Sequence, residues 1–203
     1  MRFDRMMAVL VLGAGVICGG IAAAEPEEPK RPPKTMTKVG TNPWTQVDLK
    51  PEHAILAGLA GKFTTKVHLY SGVYPRMLDT EGTAEAKLLM GGAFVQLTHE
   101  EKRMKQSFEA MTTYAYDEST RRFTASSIDS VSTAIVNLVG AYDAEKKQIV
   151  MSGRLSDPKV ASLTIVKTVT TFVDADTWTY DEFVSHKLGD PETKVVTITF
   201  KRS

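Results

Sequence analysis

The sequence predicts an all-β domain: a ten-stranded antiparallel up-and-down barrel with a short N-terminal helix plugging one end. Three observations predict it. After Gly61 the apolar period is two, with Phe63, Thr65, Val67 and Leu69 alternating with Lys62, Thr64, Lys66 and His68, the pattern of a half-buried strand. Turn chemistry then recurs along the chain, at Gly91-Gly92, at the runs that begin with Asp117 and Asp143, at Asp157-Pro158 and at Gly189-Asp190-Pro191. No stretch beyond residue 61 keeps a helical period long enough for a crossover helix. Successive strands must therefore return antiparallel, and ten of them close most economically as a barrel.

Residues 1–24 read as a cleavable export signal. Arg2 and Arg5 give a weakly basic start, Met6 to Ala24 carries no charge, and Ala22-Ala23-Ala24 supplies the small residues that signal peptidase needs. Cleavage is expected between Ala24 and Glu25, with a secreted or periplasmic product. An uncharged run of this length also approaches a membrane anchor, but Gly13, Gly15, Gly19 and Gly20 oppose that reading. Lipoprotein processing at Cys18 is opposed by the bulky Ile17 before it.

Subtracting the signal removes Cys18, the one cysteine, and with it any disulfide or thiolate chemistry. It also removes Arg2, Arg5 and Asp4, so 25 basic and 24 acidic residues become 23 and 23. A formally neutral domain gives no electrostatic reason to bind nucleic acid, or a membrane surface after cleavage.

Residues 25–50 form a proline-rich linker. Pro26, Pro29, Pro32, Pro33 and Pro43 fall within it, and such a composition neither continues a helix nor buries a core. It reads as a spacer, with a proline-rich docking peptide as the rival. Trp44 is the exception, expected to pack back on the domain.

The barrel domain spans 51–203. Pro51 and Glu52 suit a helix's first turn, Ile55, Leu56 and Leu59 share a face, and Gly61 ends the segment. Strands are expected at 61–70, 80–90, 93–99, 107–116, 121–128, 131–139, 146–153, 161–173, 177–187 and 194–202, where Val, Ile, Thr, Phe and Tyr concentrate. Pro75, Pro158 and Pro191 all fall between them, as paired ladders require. Tyr114-Ala115-Tyr116-Asp117 and Gly140-Ala141-Tyr142-Asp143 are near-repeats, and Asp174 ends a third strand. These read as equivalent hairpin turns at one end of the barrel. Longer connections at 71–79, 100–106, 154–160 and 188–193 lie at the other end. The helix enters at the tight-turn end, so the long-loop end is the mouth.

Glu52-His53, Gly61-Lys62-Phe63, Gly82-Thr83, Gly91-Gly92-Ala93-Phe94, Ala115-Tyr116-Asp117, Ile128-Asp129-Ser130 and Thr199-Phe200-Lys201-Arg202 resemble domain-of-unknown-function family 1579 over residues 51–202. Ala115 stands where that family's pattern has Gly, and Phe63 and Ser127 where it has Trp. The resemblance implies an exported bacterial protein with a calycin-type, lipocalin-like ten-stranded barrel and no established activity. In such a barrel the first and last strands meet, placing the Arg202 guanidinium over the Phe63 ring at the floor, a contact worth about 1–2 kcal/mol.

No catalytic residue is nominated. There is no Gly-x-Ser-x-Gly elbow and no phosphate-cradling loop, and the four histidines lack metal-ligand spacing. His53 belongs to the helix start, and His68 and His99 are expected to be solvated. Glu81, Glu85 and Glu182 are expected to face outward. His186 shares a strand face with Trp178, Tyr180, Glu182 and Val184. If that face is inward, a single histidine resembles the haem ligand of nitrobindin-like barrels.

The remaining candidate is the barrel interior. Phe63, Val67, Phe94, Phe108, Tyr114, Tyr116, Trp178 and Tyr180 are expected to line a cavity for a small apolar or amphipathic ligand. The rivals are an envelope module with a filled core and a haem or other small-molecule enzyme.

Overall fold

The computed structural model describes residues 48–70, 77–103, 105–157, 162–185 and 189–203. The expected signal, most of the linker, Trp44 and His186 lie outside the described residues. The first element is α1 (Pro51–Ala57), with Pro51 and Glu52 in its first turn. Its start is held by His53, whose Nδ1 accepts the Lys50 backbone N–H at 3.0 Å. Ten strands follow: β1 (Gly61–Leu69), β2 (Leu78–Leu89), β3 (Phe94–Arg103), β4 (Gln106–Asp117), β5 (Arg122–Asp129), β6 (Val136–Asp143), β7 (Gln148–Asp157), β8 (Ser162–Phe172), β9 (Thr177–Ser185) and β10 (Thr193–Arg202). Each pairs antiparallel with its sequence neighbours, and β1 pairs with β10, so the sheet is a closed barrel of the expected class.

Three strands differ from the sequence reading by four residues or more: β3 and β7 run on to Arg103 and Asp157, the latter into the connection expected at 154–160, and β6 is displaced to Val136–Asp143. β3 runs on through the charged segment His99-Glu100-Glu101-Lys102-Arg103, so only residues 104 and 105 separate it from β4. The strand continues because its period holds: Glu100 and Lys102 face out, while Glu101 and Arg103 turn inward and pair with each other at 2.5 Å. In contrast, β6 begins at Val136 rather than residue 131. Local side-chain bonds hold the connection out of the ladder. Asp129 Oδ1 accepts the Val131 N–H at 2.9 Å and Ser132 Oγ accepts the Ala134 N–H at 3.0 Å. Val131 and Ile135, read as strand residues, are 71% and 63% exposed.

The tight-turn end is built as expected. Asp117 accepts the Ser119 N–H at 2.9 Å, Asp143 the Lys146 N–H at 3.1 Å, and Asp174 the Asp176 N–H at 2.8 Å. These bonds hold all three carboxyls below the usual range, with the Ser119 hydroxyl the largest cause at Asp117 and backbone N–H groups at the other two. The helix lies against this end, with the His53 ring edge-on to Tyr116 at 5.7 Å and Leu56 and Leu59 in the core.

Phe63 is opposite Arg202 in the β1–β10 register, and the guanidinium carbon lies 5.0 Å from the ring centre. Arg202 also donates to the Ala60 carbonyl at 2.8 Å. Gly61 permits this approach, because a Cβ there would come within 2.0 Å of Arg202 Nη1 and the backbone φ is +145°. Behind it Phe63, Trp178 and Phe200 form an aromatic floor, the last two stacked at 3.5 Å with planes 7° apart.

A candidate ligand site inside the barrel

Period-two alternation sends one face of every strand inward, and between the floor and the mouth those faces leave a cavity of about 180 Å³. Its apolar wall includes Leu97, Phe108, Ala110, Val196, Ile198 and Phe200. His99, Arg103, Asp129, Tyr180 and Glu182 supply polar groups to the same space, together with the Tyr114 phenol.

On the β2–β3 side the polar groups are tied together. Glu101, whose side chain is fully buried, receives Arg103 Nε at 2.6 Å and the Thr80 hydroxyl. Gly82 makes room for this cluster, since a Cβ there would meet both Glu101 Cβ and Thr65 Oγ1 at 2.9 Å. His99 Nε2 lies 3.0 Å from Thr65 Oγ1. Burial holds the imidazole below its ordinary range, and Arg103 adds in the same direction against the opposing pull of Glu101. The Arg103 guanidinium also lies 3.5 Å over the Phe108 ring.

The β8–β9 side is less well satisfied. The Tyr180 hydroxyl donates to Glu182 Oε2 at 2.9 Å. Burial pushes the Glu182 carboxyl up; the Tyr180 bond and Arg103 oppose that shift, and Asp129 reinforces it. Burial likewise raises both phenols, Tyr180 and Tyr114. Across the β8–β9 register Thr168 is opposite Glu182 and Thr170 opposite Tyr180. Both threonines are buried, at 0% and 1% exposure, and their hydroxyls have no hydrogen-bond partner among the described residues. The Trp178 indole N–H is in the same condition. Buried polar groups are rarely left this way without a bound water or ligand to meet them.

The structure sorts the residues expected from sequence into three groups. Phe108, Tyr114 and Tyr180 line the cavity. Phe63, Val67 and Trp178 face inward but are packed, at 2% exposure each, and Tyr116 packs against His53 and Phe123 at the plugged end. Phe94 is the correction. It is 39% exposed on the outer face, because Val95, at 0%, takes the inward position and fixes the phase of β3.

His99 and Glu182, expected to be solvated and outward, face the interior instead. Glu101, Arg103, Asp129, Thr168 and Thr170 were missed. Their signal was the same alternation, followed from Leu97 to Glu101 and Arg103, from Ala125 to Asp129, and from Val166 to Thr168 and Thr170.

His186, the histidine considered for haem, lies outside the described residues, and the inward His99 has its Nε2 3.0 Å from Thr65 Oγ1 in the wall. No described group of three or more His, Asp or Glu could hold a metal ion.

Comparison with known proteins agrees with the fold. No curated protein matches the chain. The crystal structure of Rv2717c from M. tuberculosis superposes with a TM-score of 0.55 at 13% identity, covering 77% of this chain and 99% of that one. A redesigned beta barrel aligns over 72% of this chain and 93% of its own, at 9% identity and a TM-score of 0.38. The family described as "Protein of unknown function (DUF1579)" matches residues 48–202, and the chain belongs to that family.

Proposed function

We propose that this protein is exported and binds a small amphipathic molecule in the mouth half of its barrel. The observation that carries the binding reading is the pairing of a cavity of about 180 Å³ with buried, unmet polar groups beside it. An apolar cavity of about 150 Å³ accepts benzene, so this one suits a single ring or a short chain with one polar end. Leu97, Phe108 and Ile198 offer the apolar contact, and Tyr180, Glu182 and Asp129 the orientation. The export reading rests on the uncharged segment and Ala cluster of residues 1–24.

Saturation-transfer NMR with phenol and indole tests the binding reading. Ala110 lines the cavity, so Ala110→Leu fills it and should abolish the transfer signal while the barrel stays folded by circular dichroism. Transfer that is absent from the unaltered protein, or undiminished in the filled variant, overturns the reading.

A further inference from the structure

The outer wall of the barrel is divided as sharply as its interior. On β1 and β2 the outward positions carry charges that answer each other across the ladder, Lys62 opposite Glu85, Lys66 opposite Glu81 and His68 opposite Asp79. On β3 to β6, all within the described residues, the outward side chains form three cross-strand rows without a charge. Phe94, Ala115, Thr124 and Val139 are in register in the first, and Gln96, Thr113, Ser126 and Asn137 in the second. Thr98, Met111 and Ile128 make the third. Charge returns at the two ends, with Asp117 opposite Arg122 at the turns and Glu100 opposite Glu109 toward the mouth. Phe94, Ile128 and Val139 are all exposed. An uncharged centre with exposed apolar side chains inside a charged rim is the anatomy of a protein interface.

Side-chain size flattens this wall. A closed barrel is convex, yet in the first two rows the small Ala115, Thr113, Thr124 and Ser126 occupy the central β4 and β5. The larger Phe94 and Gln96 on β3, and Val139 and Asn137 on β6, flank them. We propose that the wall is the interface of a two-fold dimer of this chain, its axis running parallel to the strands between β4 and β5. That axis sets β3 of one copy against β6 of the other, so Phe94 meets Val139 and Gln96 meets Asn137. Apolar side chains then meet apolar ones and amides meet amides, the self-complementarity that an isologous contact requires. Ser126 Oγ already donates to Asn137 Oδ1 at 2.7 Å, which leaves the Asn137 amide N–H groups to donate to the Gln96 carbonyl across the axis. A strongly charged partner finds no complementary charge on these rows, whereas a second copy brings the same uncharged surface. Four strands at about 4.8 Å and three rows at about 6.8 Å present about 400 Å² of wall per copy. That is the small end of specific interfaces, so the dimer is of micromolar rather than nanomolar strength.

Sedimentation velocity of the purified full-length chain across a concentration series is the test. The unaltered chain should move from monomer toward dimer as concentration rises. Val139→Lys and Phe94→Glu should each weaken association at least about tenfold. An equimolar mixture of the two variants should recover it, because the new charges face each other across the axis. Thr64→Lys, on the charged wall, should change nothing. Should Phe94→Glu not fold, Gln96→Glu mixed with Asn137→Lys asks the same question in the second row. A chain that stays monomeric up to about 100 µM, or a dimer unmoved by the variants, overturns the proposal. So does a mixture that associates no better than its components. A monomer that co-sediments with vesicles of phosphatidylethanolamine and phosphatidylglycerol assigns the wall to a membrane instead.

Discussion

The two halves of this barrel are closed by different physics. At the plugged end Phe63, Trp178 and Phe200 stack and interlock, Leu56 and Leu59 cap them, and each is at most 2% exposed. At the mouth half the same inward positions carry Glu101, Arg103, His99, Glu182 and Asp129 around a cavity. The floor gains its stability from apolar burial, against the cost of a Trp178 indole N–H left without a partner among the described residues. A polar interior gains only when every group finds its partner, and orphaned groups cost stability that a ligand can return. The contrast separates the part of the domain that holds it together from the part where we propose that a ligand sits.

The largest break in that contrast comes from the floor. Trp178→Ala removes the ring stacked on Phe200 and should cost about 3–5 kcal/mol, read from the urea midpoint. A loss below about 1 kcal/mol would show that the floor is not the stabilising half. Glu101→Gln tests the mouth half. It breaks the buried pair with Arg103 and should cost about 3 kcal/mol, whereas replacing both residues with Met and Leu should recover much of the loss. If the double variant is no better than the single, the pair is not the source of the effect.

Smaller effects sharpen the picture at the closure. Arg202→Ala loses the contact over Phe63 and the bond to the Ala60 carbonyl, and should cost about 1–2 kcal/mol. Opening of β1 from β10, followed by amide exchange at Thr65 and Val67, should accompany it. The smallest effect is at the exposed turns. Asp117 has its folded-state carboxyl held down by Ser119 and Thr120. Its contribution is therefore present above the unfolded-state value and lost as pH falls through the folded one. Asp117→Ala should flatten the acid limb of the stability curve below about pH 4 and leave the slope near neutrality unchanged. An unchanged acid limb removes Asp117 from that role.

Ten strands, their antiparallel order and the plugging helix could be read from period, turn residues and connectivity. The register of β1 on β10 followed from closure, and Phe63 lies opposite Arg202 as expected. The site was far less legible. The charged run from His99 to Arg103 looks like a loop when each residue is judged by its solvation. It is a strand because Glu101 and Arg103 neutralise each other inside. The apolar Val131 and Ile135 look like a strand, yet they sit in a connection fixed by Asp129 and Ser132.

By itself the sequence determined the alternation, and alternation alone divides each strand into an inner and an outer face. It also determined the turn chemistry and the absence of cysteine beyond Cys18. The tertiary structure decided which phase of each strand is inner and which polar residues meet across the barrel. Phe94 faces out because Val95 takes the core, and Glu182 shares a cavity with Asp129 from a strand more than fifty residues away in sequence. Such pairings depend on closure of the whole sheet, which brings together side chains that no local period connects.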